Sequence, residues 1–432
     1  MAQENLLYFL SQKSNLQSVW NKLSKENKYS HGLSGETITE FSENLQTHLQ
    51  SISDKLIKGT YKFSPYRGVP IPKSEGSPRP IKVPEIRDRV VIKAIVELIH
   101  PRLSEVFNLN NDASFAYIED RGVKDAIIRM VDLFNQGNRI VLEADIKKFF
   151  DTVDREKLLK EKILPNLIDN TIDSLIIDAT EQEIGNLNSM SELEFMAFEK
   201  TKGGIPQGSS ISPLLSNICL ADFDRRMLDE GFGLIRYADD FIVMCKTEDD
   251  ALRAYNVASD EIEKKLGLEL YQLGEDKSKT RIVLPAREKF SFLSIQFNGK
   301  ELFPTKEKVL QLSEKIKITT NVRIQKNVLT ILRKTNNLLC GWLAAFSYYD
   351  SDRYFPQIDE IINKELASAF RQLNWVFKSK YTERKKIKGK EQECLSSIQR
   401  QNSGVHTCDS FFKKVYKDRS KIIVSDVKLA RS

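Results

Sequence analysis

The stretch Leu234-Ile235-Arg236-Tyr237-Ala238-Asp239-Asp240-Phe241-Ile242-Val243-Met244-Cys245 constrains this chain more than any other. Two runs of strand-forming residues flank two adjacent acids, which predicts a β-hairpin with the acids at its turn. A second strand-like run, Ile140 to Asp145, also ends on an acid. Around these strands the pattern is mostly helical. Residues 1 to about 60 read as helix, with Leu45, Leu49, Ile52, Leu56 and Ile57 on one face. Tyr61 to Pro84 is dense in Pro and Gly and predicts extended strands with turns. A helix resumes near Asp88, which Pro101 ends or restarts. Residues 154–200 read as helical. The Gly203–Gly208 loop then leads to a helix with Ser212 as cap and Pro213 at its first position. Ala251–Leu266 reads as an amphipathic helix, Phe290–Phe297 as strand, and Val309 to about Phe377 as helix.

Charge is unevenly distributed. The whole chain carries +6, but residues 377–432 hold 15 Lys and Arg against 6 Asp and Glu, leaving the remainder at −3. A near-neutral body with a basic end suits a protein that grips a polyanion; a solvated basic tail is the plainer reading. The five cysteines are scattered and odd in number, which argues against a disulfide framework and a paired-cysteine zinc site. No apolar run reaches the roughly 18 residues of a membrane span, and the N-terminus lacks a secretory pattern. The expected location is the cytoplasm.

Asp145, Asp239 and Asp240 carry the chemistry. Gathered carboxylates repel one another unless a cation neutralises them. Hard divalent ions with oxygen ligands are the natural partner. Two such ions, about 3.5–4 Å apart, can activate an attacking hydroxyl and stabilise a leaving pyrophosphate. Acids are common in turns, so the hairpin pair gains its meaning from the rest of the chain.

Tyr237-Ala238-Asp239-Asp240 resembles the Tyr-x-Asp-Asp box of reverse transcriptases. Ala144-Asp145-Ile146-Lys147-Lys148-Phe149-Phe150-Asp151 is similar to their first catalytic strand, and Gly204–Pro213 to their nucleotide-pocket loop; the three occur in the family's order. The resemblance covers roughly residues 20–350 and is nearest the prokaryotic branch that includes group II intron-encoded enzymes. It extends to Gly32–Thr37, Gly59-Thr60-Tyr61, Ile71-Pro72-Lys73, Arg79-Pro80-Ile81, Arg87–Val91, Phe115-Ala116-Tyr117, Lys279-Thr280, Phe292–Ile295 and Gly341-Trp342-Leu343.

The resemblance implies an α+β right-hand polymerase. Fingers with an N-terminal helical region would span 1–140, and a palm of antiparallel sheet backed by helices 141–300. A helical thumb would span 301–377 and a basic extension 378–432. It implies an RNA-directed DNA polymerase with an RNA template, dNTPs, a DNA product and two Mg²⁺ ions, Mn²⁺ serving as substitute. Asp145, Asp239 and Asp240 would hold the metals, with the Ile146 carbonyl as a further ligand. Phe150 would sit against the sugar C2′ and exclude a 2′-hydroxyl, or be a core phenylalanine. Gln207 and its glycines would let backbone approach the nucleotide. Arg79, Lys82 and Arg89 are candidates for the triphosphate, although Arg89 could pair with a helix acid and Lys82 is equally readable as structural. Lys279 could donate a proton to pyrophosphate or be a surface lysine. Tyr237, Gly208, Phe292 and Leu293 are the expected primer and template contacts, Tyr237 alternatively simply packing.

Departures narrow the branch. Neither a His-Asn-His nor a zinc-binding endonuclease segment follows the thumb region, and the Val-Thr-Gly of retron enzymes is absent where Phe292-Leu293-Ser294-Ile295 stands. The pattern is most similar to stand-alone, defence-associated bacterial reverse transcriptases, which copy a dedicated non-coding RNA. Intron-type enzymes or maturases, and an RNA-binding protein with a vestigial site, are the alternatives.

Overall fold

The computed structural model describes residues 5–23, 25, 27–72, 76–181, 183–275, 278–375, 382–387, 390–415, 422 and 424. Lys73 and much of the basic C-terminal segment lie outside these. The chain divides into two compact units, one of residues 1–126 with 140–282 and one of residues 127–139 with 283–432.

The first unit opens with helices Leu6–Ser11, Lys13–Lys22, Ile38–Glu43 and Leu45–Ile57. Thr37 and Glu40 form a reciprocal cap at the third, which satisfies two backbone donors at once. Leu49, Ile52 and Leu56 are buried as the spacing predicts, but Ile57 is 63% exposed, one position off the apolar stripe. The Pro- and Gly-rich stretch becomes an antiparallel hairpin, β1 (Arg67–Ile71) and β2 (Arg79–Val83). Helix Ile86–Val106 follows and continues through Pro101 rather than ending there. It buries Val90, Val91, Ile95, Ile99 and Leu103, and fully burying each such side chain contributes about 1.5–3 kcal/mol. Packing of that stripe offsets the one hydrogen bond the proline removes.

The central sheet has the order β4-β5-β3-β6: β3 is Ile140–Asp145, β4 Gly233–Tyr237, β5 Asp240–Cys245 and β6 Arg281–Val283. In β5, Phe241 to Cys245 are all buried, because the strand is central and covered on both faces; hence its unbroken apolar run. Helix Glu248–Ser259 packs on β3 and β5, and helix Ser212–Asp229 on β4. The second of these corrects an expectation. Its cap position is Ile211, with Ser212 and Pro213 already in the first turn, and the Ser212 hydroxyl donates to the Pro206 carbonyl. The expected helix 251–266 begins at Glu248 and finishes as a π-helical segment, Asp260–Lys265.

The second unit contains a three-stranded antiparallel sheet, β7 (Phe290–Phe292), β8 (Ile295–Phe297) and β9 (Leu302–Pro304). The single strand expected at 290–297 is therefore a hairpin. Leu293 and Ser294 both take positive φ, 49° and 67°, at its two-residue turn, the geometry that matches strand twist. Helices Lys306–Thr319, Val328–Phe346 and Phe355–Gln372 share a core of Leu312, Ile316, Leu339, Leu343, Ile362 and Phe370. Beyond them, β10 (Thr382–Ile387) pairs with β11 (Lys390–Leu395), and β11 packs on helix Phe355–Gln372. Arg400, fully buried, donates to Asp359, Asn363 and the His406 carbonyl. Residues 382–387 and 390–415 of the expected basic extension thus belong to regular elements and their connections. All five cysteines are free.

Candidate active site

The sheet register places the acids. Asp145, the last residue of β3, lies directly opposite Asp240, the first of β5, and Tyr237 ends β4 on the other side of Asp240. Directly paired residues hold their Cβ atoms about 4.5–5.5 Å apart on one face. Tyr237, Asp240 and Asp145 therefore form one row; Ile235, Ile242 and Glu143 form the next on that face. Asp239 occupies the two-residue turn with Ala238, whose φ is 59°.

Electrostatics follow the geometry. Burial raises Asp239 above the ordinary carboxylate range, and the charge on Asp145 adds to this, while Arg79 and Lys279 oppose it. Asp240 is pushed up to about 6 by the crowding of protein atoms around its carboxylate, then by Asp239 and Asp145, against the pull of Lys279. Its side chain nonetheless opens to solvent on one side, and the neighbouring acids add to the shift that burial begins. Lys279 Nζ stands 2.5 Å from Asp145 Oδ2 and 5.0 Å from the Tyr271 ring centroid. The carboxylate raises the lysine's own pKa. In the neighbouring row, Arg281 pairs with Glu143 at 2.8 Å.

A preformed cage is not present: among the described residues, no three His, Cys, Asp or Glu side chains converge closely enough to enclose an ion as they stand. Asp145 is instead drawn to Lys279. The donor set still fits a hard divalent cation, being all oxygen, mutually repelling and on one face. The Ile146 carbonyl could supply one further oxygen. In its bridge to Leu270 the bonds run from Lys147 N to Glu269 O and from Tyr271 N to Asp145 O, so the bridge leaves the Ile146 carbonyl unused.

The nucleotide-pocket candidates separate into two groups. Arg79 begins β2 and lies near enough to Asp239 to act on its charge. Phe150 is half-buried, edge-on to buried Phe149 with ring centroids 5.4 Å apart, and its carbonyl accepts from Ile205 N at 2.8 Å. Gly204 is required there, since a Cβ would fall 2.2 Å from that same carbonyl oxygen. Gln207 Nε2 donates to Asp151 Oδ1 at 2.8 Å.

Lys82, Arg89 and Gly208 are engaged by the protein itself. Lys82 is 1% exposed and donates to the Thr201 carbonyl at 3.1 Å; burial pulls its ammonium down to about 8. A fully buried lysine offers a triphosphate no open face. Arg89 bonds the Pro84 carbonyl and Ser30 Oγ, both at 3.0 Å, rather than a helix acid. Gly208, at φ 109°, makes room for β2, because a Cβ would meet the Lys82 carbonyl oxygen at 2.7 Å. Its freedom serves packing of the chain on itself. Phe292 and Leu293 belong to the second unit, where Phe292 is buried and Leu293 forms the β7–β8 turn.

Three residues near the site had no assigned role in the sequence reading. Tyr117, half exposed at φ 62°, has its hydroxyl pKa raised by burial, then by Asp239 and Tyr237. Asp151 holds Gln207. Arg236, on the opposite face of β4, is buried against Asp224. A lone arginine in the apolar run Leu234-Ile235-Arg236 was the available signal for the last.

Comparison with known proteins agrees with this geometry. The family model "Reverse transcriptase (RNA-dependent DNA polymerase)" matches residues 71–297, and that of the group II intron maturase-specific domain matches residues 309–388. Protein YkfC of Escherichia coli K12 is 32% identical over 210 residues, 47% of this chain and 51% of its own length. Group II intron-encoded protein LtrA of Lactococcus lactis subsp. cremoris is 29% identical over 210 residues, 48% of this chain and 32% of its own. A chain of a partial Cas6-RT-Cas1–Cas2 complex shows 26% identity and a TM-score of 0.36, covering 61% of this chain and 43% of that one. The chain spans about half or less of the length of these curated relatives. The first family model covers just over half of the chain and takes in all three aspartates, so the protein belongs to the reverse transcriptase (RNA-dependent DNA polymerase) family.

Proposed function

We propose that the protein is an RNA-directed DNA polymerase whose centre is the Asp145, Asp239 and Asp240 cluster. The observation that carries this reading is the register of β3 against β5, in which Asp145 faces Asp240 beside the Asp239 turn. Divalent ions held there, Mg²⁺ or Mn²⁺ in its stead, would supply Lewis-acid activation of a primer 3′-hydroxyl and neutralisation of the leaving pyrophosphate. The three carboxylates and the Ile146 carbonyl would hold them. Arg79, beside Asp239, would orient the triphosphate. Phe150, fixed through its carbonyl to Ile205, would bar a 2′-hydroxyl. Lys279 would exchange Asp145 for the phosphates and deliver a proton to the leaving group, while Tyr237 would contact the primer end. The β4–β5 hairpin and its sheet would form the palm, the elements before it the fingers, and the helices after Pro304 the thumb.

The test is primer extension on a heteropolymeric RNA template. Wild type should incorporate dNTPs, and Asp239→Asn should abolish incorporation while RNA binding persists. Incorporation by Asp239→Asn at the wild-type rate would overturn the reading.

We further propose that the template is a dedicated non-coding RNA and the biology antiphage defence. Support for this comes from the resemblance to stand-alone enzymes described above. A second reading, with an intron RNA as partner, is favoured by the match of residues 309–388 to the maturase-specific domain. Sequencing the RNA and DNA that co-purify with the protein separates the two. A recurring non-intron RNA with its complementary DNA supports the first, and intron RNA alone supports the second.

A further inference from the structure

Behind the acidic turn, on the covered face of the sheet, stands a charged group that the chemistry above does not use. Arg236 is 1% exposed, as is Asp224. Its Nε donates to Asp224 Oδ1 at 2.6 Å and its Nη2 to Oδ2 of the same carboxylate. This is a bidentate pair between β4 and helix Ser212–Asp229. The remaining nitrogen, Nη1, donates to the Ala238 carbonyl at 2.9 Å and to Asn217 Oδ1 at 3.1 Å. Asn217 in turn donates to the Ala116 carbonyl at 3.0 Å. The Arg236 backbone completes the set, its N–H bonding Ala113 O at 2.7 Å and its carbonyl accepting from Phe115 N at 3.0 Å.

One guanidinium thus touches both pieces of chain that flank the acids. Ala238 holds a left-handed φ of 59°, a conformation unfavourable for a residue with a Cβ, which persists only when its surroundings over-determine it. The carbonyl clamped by Arg236 lies immediately before Asp239. The loop tied down through Asn217 and the Arg236 backbone carries Tyr117, also left-handed at φ 62°. A buried ion pair is weak evidence for stability, since apolar residues of like volume often do as well. What an apolar pair cannot do is grip a carbonyl and an amide at fixed angles.

We propose that Arg236 is a positioning residue, whose guanidinium, locked by Asp224 and Asn217, sets the Ala238–Asp239 turn and the Tyr117 loop so that the three carboxylates bind divalent cations at working separation. This deepens the polymerase reading and rests on it. Lysine at 236 keeps the charge for Asp224 but lacks the planar fork needed to hold Asp224, Asn217 and the Ala238 carbonyl together.

The experiment measures Mn²⁺ binding by electron paramagnetic resonance on full-length wild type, Asp239→Asn and Arg236→Lys, with melting curves as the folding control. Loss of an outer-shell partner weakens metal sites by about 10–100-fold. Folded Arg236→Lys should therefore bind Mn²⁺ about tenfold more weakly, with kcat recovering as Mn²⁺ is raised and the KM for dNTP unchanged. Unchanged Mn²⁺ affinity in the folded variant overturns the proposal. If Arg236→Lys melts below the assay temperature, Asn217→Ala carries the same test, because it leaves the Arg236–Asp224 pair in place; several-fold weaker binding supports the proposal and unchanged binding overturns it. Wild type whose Mn²⁺ binding is insensitive to Asp239→Asn would instead sink the polymerase centre, and this inference with it.

Discussion

Replacing Asp240 with Asn should destroy polymerisation yet make the protein more stable in chelator near neutral pH. Asp240 has its pKa raised from 3.8 to about 6 by burial and by its acidic neighbours. A group whose folded pKa lies above its unfolded value costs stability once ionised. That cost is absent below about pH 4, grows as pH rises through about 6, and is full above it. At 1.36 kcal/mol per unit the shift corresponds to about 3 kcal/mol. The side chain opens to solvent, so screening reduces this to on the order of 1 kcal/mol. Asparagine keeps the shape and removes the charge. In EDTA at pH 7.5, Asp240→Asn should melt about 1–2 °C above wild type, and at pH 4 the two should melt together. Saturating Mg²⁺ should reverse the order at pH 7.5, since only the intact cluster gains from the cation. A variant that melts below wild type in EDTA at pH 7.5, or an equal gain at pH 4, would refute the reasoning.

Two further substitutions probe the pocket. Phe150→Ala should lower discrimination against rNTPs by roughly tenfold or more, read as the ratio of kcat/KM for dNTP and rNTP in primer extension; an unchanged ratio would return Phe150 to the core. Gly204→Ala would set a Cβ 2.2 Å from the Phe150 carbonyl oxygen, so the loop must shift, at a cost of about 1–3 kcal/mol. Urea denaturation should show that loss together with a raised KM for dNTP.

What could be read in the sequence was local. The hairpin at 237–240 and the acid ending β3 depend on alternation and turn chemistry within a dozen residues, and both lie where expected. The two readings of Lys82 stayed open because burial is a tertiary property: a lysine in a Pro-rich strand looks the same whether it faces solvent or the Thr201 carbonyl. Gly208 shows the same limit, since a glycine that admits a ligand and one that admits Lys82 backbone leave identical traces. Phe290–Phe297 alternates on both sides of a turn made by Leu293 and Ser294, which lacks the Gly, Asn or Asp that a two-residue turn with positive φ favours, so the break was invisible. The C-terminal segment was dominated by its Lys and Arg count, which concealed Arg400 as an interior residue and Cys394, Leu395, Val405 and Cys408 as core. Asp224 and Arg236 are 12 residues apart in a helix and a strand, and no sequence periodicity pairs such positions.

The central claim is that Asp145, Asp239 and Asp240 share divalent cations. Anomalous diffraction from crystals of the protein grown with Mn²⁺ tests it most directly. The account predicts anomalous peaks with carboxylate oxygens of all three aspartates at about 2.1 Å. Well-ordered Mn²⁺ bound elsewhere, with these three carboxylates making no contact to it, would contradict the account.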